Sequence, residues 1–149
     1  MGGYCCLVLK RHAVELYELG ADEAYALMSD LQRAAKAIQD ITGAVKMNYE
    51  IHGNTLPHLH VHLLPRYKGD PFEEGPIDTR LIRESPFGEG EFESFKCSLQ
   101  VRLSEGLTIR WSGMLARLAS LSIEALEGSE RKCLWQRNWQ SLLRYLCSQ

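Results

Sequence analysis

The stretch Pro57-His58-Leu59-His60-Val61-His62-Leu63-Leu64-Pro65-Arg66 constrains this chain more than any other. It holds three of the five histidines, strictly alternating with apolar residues. Alternation with period two is the pattern of a half-buried β-strand. On such a strand His58, His60 and His62 share one face, and Leu59, Val61 and Leu63 the other. Same-face neighbours then lie roughly 6–7 Å apart. Three imidazoles in a row suit neither a solvent face nor an apolar core. They require a ligand, a partner or a reaction.

Three readings of the row compete. It is a polar strand face with satisfied core histidines, or a metal site, or a site of nucleophilic catalysis at phosphorus. Neutral imidazole is a common zinc ligand, and two histidines two apart on a strand can share one ion. A zinc site needs a third or fourth ligand, however. No cysteine pair and no His–Glu helix pair of ligand spacing occurs elsewhere in the chain. In the third reading one neutral imidazole attacks a phosphate while its neighbours hold charge and proton.

His58-Leu59-His60-Val61-His62-Leu63-Leu64 resembles the His-φ-His-φ-His-φ-φ motif of the histidine-triad (HIT) family of nucleotide hydrolases and transferases. Gly53-Asn54-Thr55-Leu56-Pro57 before it, Pro65-Arg66-Tyr67 after it and Leu7-Val8-Leu9-Lys10-Arg11-His12 near the start are similar to bacterial members. The resemblance covers roughly residues 3–80. It implies an α+β fold with an antiparallel sheet, a long supporting helix, and a homodimer whose two sheets join. Family members carry further residues before the first strand, as a hairpin that builds part of the base and ribose pocket. A HIT-like catalytic domain over 1–80 is therefore expected to lack the usual upstream strands. An arm and helix over 81–105 and a helical extension over 106–149 follow it.

Composition narrows the remaining classes. A chain of 149 residues suits one domain, or one compact domain plus an appendage. The net charge of −2 gives no bulk electrostatic case for nucleic acid or an acidic membrane. The longest apolar run, Tyr4–Leu9, is far too short to span a bilayer and has no basic leader. The cysteines, Cys5, Cys6, Cys97, Cys133 and Cys147, are odd in number and without the spacing of a disulfide framework. Cys5 and Cys6 read as small buried hydrophobes. A reducing, cytoplasmic setting is expected.

In chain order, Tyr4–Leu9 reads as a strand closed by Lys10-Arg11-His12. A turn of helix after it is expected to cover the core with Val14, Leu16, Tyr17 and Leu19. A long helix begins near Ala21-Asp22-Glu23, with acidic residues suited to its N-terminal dipole. Leu27, Met28, Leu31, Ala34, Ala35, Ile38 and Ile41 form its apolar stripe, and Gly43 its C-cap. This helix should cover the sheet face opposite the histidines. Val45–His52 alternates as a second strand, and Gly53-Asn54 marks a turn. A hairpin with the histidine strand follows, which would set Asn48 or Asn54 beside the triad. Residues 69–90 read as an irregular arm. Helices are expected from Glu91, with Phe92, Phe95, Leu99 and Leu103 on one face, over about 112–126 and over about 130–146. The last carries Trp135, Trp139, Leu142 and Leu146 on one stripe, a packing surface within the domain or against a partner subunit.

The resemblance assigns His60 as nucleophile on the α-phosphate of a nucleotide. A nucleotidyl-histidine would form and then be hydrolysed to a nucleoside monophosphate. His62 would bind phosphate oxygens and assist the leaving group, and His58 would orient the row. Thr55 and Asn54 would donate to phosphate oxygens, and His12 would support the triad. On its own Asn54 is a turn residue, Thr55 a strand-entry residue and His12 a surface histidine. Arg66 and Lys68 are phosphate neighbours by charge alone. The scheme needs neither cofactor nor metal. A nucleoside phosphoramidate, a dinucleoside polyphosphate or an adenylylated metabolite would fit it. A non-catalytic nucleotide-binding or interaction protein, or a zinc protein using the histidine face, is the alternative.

Overall fold

The computed structural model describes residues 2–72, 75–78, 87–105 and 121–125. Strands β1 (Cys5–Leu9), β2 (Lys46–Ile51), β3 (His60–Arg66) and β4 (Leu121–Ala125) form one antiparallel sheet in the order β2-β3-β1-β4. The histidine strand β3 is therefore interior. All seven of its residues are buried, so it is not the half-buried strand that alternation alone suggests. Both of its faces are covered. Leu63 stands opposite Cys5 and Val61 opposite Leu7 on one face, and His62 stands opposite Cys6 and His60 opposite Val8 on the other.

Helix α1 (Ala21–Thr42) covers the first of these faces. Leu27, Ala34, Ala35, Ala37 and Ile38 are buried on it, packed with Leu7, Leu9, Val61, Leu63 and Met47. Three alanines on the contact let the helix axis come close to the sheet. Each fully buried leucine of this layer contributes roughly 1.5–3 kcal/mol. The helix thus lies on the side opposite His60 and His62, as expected. Gly43 ends it in the left-handed region at φ 69°. Met28 departs from the expected stripe and is 54% exposed, while Ala37 takes an inward place. The preceding turn also departs, with Leu16 and Tyr17 exposed. At the start of β1, Gly3 has φ 81° and lies so close to α1 that a Cβ there would sit 2.6 Å from the Thr42 methyl.

Helix α2 (Glu91–Glu105) follows the expected pattern. Phe95 and Leu99 are buried and Leu103 packs against the same core. The Arg33 guanidinium on α1 donates to the Leu103 carbonyl at 2.8 Å, satisfying an end carbonyl of α2. The helix expected over about 112–126 is corrected at 121–125 by β4, which pairs with β1 from Cys5↔Ala125 to Leu9↔Leu121, and its other residues lie outside the described ones. Leu121-Ser122-Ile123-Glu124-Ala125 alternates with period two, and β1 offers it an edge to pair with. The helix expected over 130–146 lies outside the described residues. Cys5 and Cys6 are buried thiols, and burial pushes the Cys5 thiol well above its ordinary range.

The chain leaving β3 is tied down by an ion pair. Arg66 Nε donates to Asp70 Oδ2 and Arg66 Nη2 to Asp70 Oδ1, each at 2.9 Å. Arg66 also donates to the Gly75 carbonyl at 2.8 Å and to the Phe72 carbonyl. Asp70 accepts the backbone N–H groups of Tyr67 and Phe72. Both side chains are nearly buried. Arg66 is thus engaged in holding its own loop. These donors hold the Asp70 carboxyl well below the usual carboxylate range, Arg66 foremost. Asp70→Ala should destabilise the fold by about 3 kcal/mol in denaturant unfolding, because it removes the carboxylate held against a nearly buried guanidinium and the acceptor of two backbone N–H groups. The folded carboxyl titrates lower than the unfolded one. The wild-type advantage should therefore be full above about pH 4 to 5 and shrink as the pH falls further.

Candidate active site

The face of the sheet away from α1 gathers all five histidines of the chain. His58 precedes β3, and its Nε2–H donates to the Leu9 carbonyl at 2.6 Å. A carbonyl only accepts, so this bond places the proton on Nε2. Two residues on, His60 Nδ1–H donates to the His58 carbonyl at 2.6 Å. The neutral His60 ring therefore carries its lone pair on Nε2. His62 follows, its ring centroid 4.9 Å from that of His60 and nearly perpendicular to it. His62 Nδ1 lies 2.6 Å from the Tyr4 hydroxyl, and the two rings stack at 5.9 Å.

The remaining two histidines flank the row. His12 packs on His58 at 5.6 Å and His52 on His62 at 5.5 Å. His52 Nε2 is bonded to Glu50 Oε2 at 3.0 Å. Thr55 and Asn54 lie on the exposed loop between β2 and β3. The structure thus brings together His58, His60, His62 and His12. It leaves Thr55 and Asn54 at the rim.

Three contributors to this face escape a reading of the sequence. Tyr4 passes for a strand-forming apolar residue. Glu50 and His52 pass for the polar side of an alternating strand. The strand register pairs Glu50 with His62 and Asn48 with Leu64, so Glu50, not Asn48, sits beside the triad. Their signal is the even numbering they share with the histidines across a hairpin, which needs the register to be useful.

Burial sets the electrostatics. It lowers the proton affinity of His60, helped by the neighbouring charges of His58 and His52 and opposed by the hydrogen bond to the His58 carbonyl. For His62 burial, with His60 and His52, pushes the pKa down to about 4. Both rings are neutral at pH 7. The arrangement offers a lone pair on His60 Nε2 with the far nitrogen already protonated, which is what an imidazole nucleophile needs. Among the described residues no group of three or more His, Cys, Asp or Glu is placed to hold a metal ion.

An antiparallel sheet backed by a helix, with a row of buried imidazoles on its other face, defines an α+β protein with an imidazole-lined site. Residues 2–69 match the HIT domain family model. A histidine triad protein of Marinobacter aquaeolei has a similar solved structure. It is 30% identical, with a TM-score of 0.60 over 68% of this chain and 74% of that one. A histidine triad protein of Sinorhizobium meliloti is 29% identical, with a TM-score of 0.59 over 66% of this chain and 73% of that one. The chain belongs to the histidine-triad family. It is also 27% identical over 84 residues to a bis(5'-nucleosyl)-tetraphosphatase (asymmetrical) of Schizosaccharomyces pombe. That match spans 53% of this chain and 46% of the relative.

An NMR titration of the histidine ring signals should give His62 a midpoint near 4 and His60 one below the ordinary imidazole value. A His62 midpoint of about 6.5 or higher would contradict this account of the site. The sign for stability follows. Between about pH 6.5 and 4 the unfolded chain binds protons that these folded rings refuse, so stability should fall as the pH is lowered through that window.

Proposed function

We propose that this protein is a nucleotide hydrolase that works through a nucleotidyl-His60 intermediate, with a dinucleoside polyphosphate or a nucleoside phosphoramidate as substrate. The observation that carries the reading is the hydrogen bond from His60 Nδ1–H to the His58 carbonyl. It leaves Nε2 as the atom that attacks. His60 Nε2 forms a bond to the α-phosphorus while the bond to the leaving nucleotide or amine breaks. Water then attacks the same phosphorus, releases the nucleoside monophosphate and returns His60. His62 donates to a phosphoryl oxygen, His58 orients the row and His12 supports it. Thr55 and Asn54 donate to phosphate oxygens. Each well-placed donor supplies roughly 2.7–4 kcal/mol of transition-state stabilisation. The name of the Schizosaccharomyces pombe relative favours a dinucleoside tetraphosphate among the candidate substrates.

Chromatography of products, with chelator present, tests the reading. Wild-type protein incubated with a diadenosine polyphosphate or an adenosine phosphoramidate should release adenosine monophosphate. His60→Ala should lower turnover by roughly 10³-fold or more while retaining monophosphate binding. A fully active His60→Ala protein would sink the mechanism. Nucleotide binding without release by the wild type would point to a binding module.

We also propose that the protein is a homodimer joined through β2. No strand pairs with the outer edge of β2 among the described residues, and Tyr49 and Ile51 on it are 49% and 48% exposed. An unprotected edge bearing large apolar side chains is a template for a second copy. Sedimentation should give a dimer for wild type and a monomer for Ile51→Lys. A monomeric wild type at micromolar concentration would refute the interface.

A further inference from the structure

Tyr4 lies outside every role described so far. Its side chain is 8% exposed and packs with Leu64 and Ile77 on the histidine side of the sheet. Its hydroxyl meets His62 Nδ1 at 2.6 Å, and its ring stacks on the imidazole at an interplanar angle of 25°. A proton lies between these two atoms in one of two ways. Either the phenol donates and His62 keeps its ring proton on Nε2, or His62 Nδ1–H donates and Nε2 is bare. A phenolic O–H is a stronger acid than the N–H of a neutral imidazole, and a bare imidazole nitrogen is a stronger base than a phenol oxygen. Donation by the phenol is therefore the favoured arrangement for a buried neutral ring.

We propose that Tyr4 is a positioning residue that locks His62 as the Nε2–H tautomer, so that His60 and His62 present opposite faces of imidazole chemistry to one phosphate. The proposal rests on the reading of the site as a phosphate site and deepens it. The His58 carbonyl fixes His60 with a lone pair on Nε2. Tyr4 fixes His62 with a donor on Nε2. One ring then attacks phosphorus while its neighbour, 4.9 Å away, donates a hydrogen bond to a phosphoryl oxygen. In the other tautomer two lone pairs would confront the anion and the second ring would repel it. Tyr4 makes no bond to substrate and no proton is transferred in this role. It acts by choosing which nitrogen of His62 carries the proton already present.

Two measurements test it, and the first does not depend on any activity. Long-range ¹H–¹⁵N spectra at pH 7 report which ring nitrogen of each histidine is protonated. Wild-type His62 should show a protonated Nε2 and a bare Nδ1. In Tyr4→Phe, which keeps the buried ring and removes the hydroxyl, the two His62 nitrogen shifts should move toward a mixture of tautomers. A wild-type His62 protonated on Nδ1 would overturn the proposal, and this outcome needs no variant to fold. An Nε2–H tautomer that persists unchanged in Tyr4→Phe would overturn it as well.

The second measurement is steady-state hydrolysis of a diadenosine polyphosphate. Tyr4→Phe should lose roughly tenfold in kcat, equivalent to about 1.4 kcal/mol, with KM changed by no more than about twofold. His62→Gln presents a fixed amide N–H that has no tautomer to choose. Adding Tyr4→Phe to it should change kcat by less than about twofold. A further tenfold loss in that background would show Tyr4 acting by another route and overturn the proposal. A wild type that hydrolyses no nucleotide while His62 keeps a Tyr4-dependent Nε2–H would refute the hydrolase reading and leave the Tyr4 assignment supported.

Discussion

The register of β1 on β3 decides what each face of the sheet is for. Cys6 stands opposite His62 and Val8 opposite His60. A slip of one residue would turn both imidazoles into the layer under α1 and lift Val61 and Leu63 out of it. The register is pinned just outside the ladder, where Leu59 N–H donates to the Ala13 carbonyl and Leu9 N–H to the Leu59 carbonyl. The His58 side chain adds its own bond to the Leu9 carbonyl at the same place. One imidazole thus fastens the entry of β3 and has its tautomer fixed by the same contact. His58 is consequently a structural residue as well as a member of the row, and its loss is expected to disturb the placement of His60.

A continuous apolar run made β1 legible, period-two patterns made β2 and β3 legible, and period 3.6 made α1 and α2 legible. The three histidines were legible because no ordinary strand face accommodates them. The pieces that were not legible depend on which strand lies beside which. Leu121–Ala125 is short enough to satisfy a helical stripe and an alternating strand together, and only the available edge of β1 decides between them. Glu50 and not Asn48 stands opposite His62 because the link between β2 and β3 runs from residue 52 to 59, longer than a tight turn. Tyr4 was hidden for a different reason. A tyrosine at a strand start reads as packing, and its hydroxyl gains meaning only once His62 is placed 2.6 Å from it.

Charge is used sparingly on the histidine face. Arg66, the cation nearest the motif in sequence, points its guanidinium into the loop that follows β3 and satisfies Asp70 and two backbone carbonyls there. Burial keeps His60 and His62 neutral. In the proposed reaction a phosphate on this face would be met by the His60 lone pair and the His62 N–H donor, both held in fixed directions. Such groups need no reorganisation when charge moves onto the phosphoryl oxygens, and they act at full strength where water is excluded.

Burial alone would make a poor nucleophile of His60. Desolvation keeps the ring unprotonated, which frees the lone pair, but the same effect weakens the lone pair as a base and as an attacking atom. The hydrogen bond from Nδ1–H to the His58 carbonyl works in the other direction, since it stabilises positive charge on the ring. In the proposed reaction that charge would develop as Nε2 bonds to phosphorus, and the carbonyl would then contribute more in the transition state than in the resting site. The alternating sequence supplies both effects at once. Apolar residues at every second position bury the strand, and the backbone of the preceding histidine supplies the acceptor.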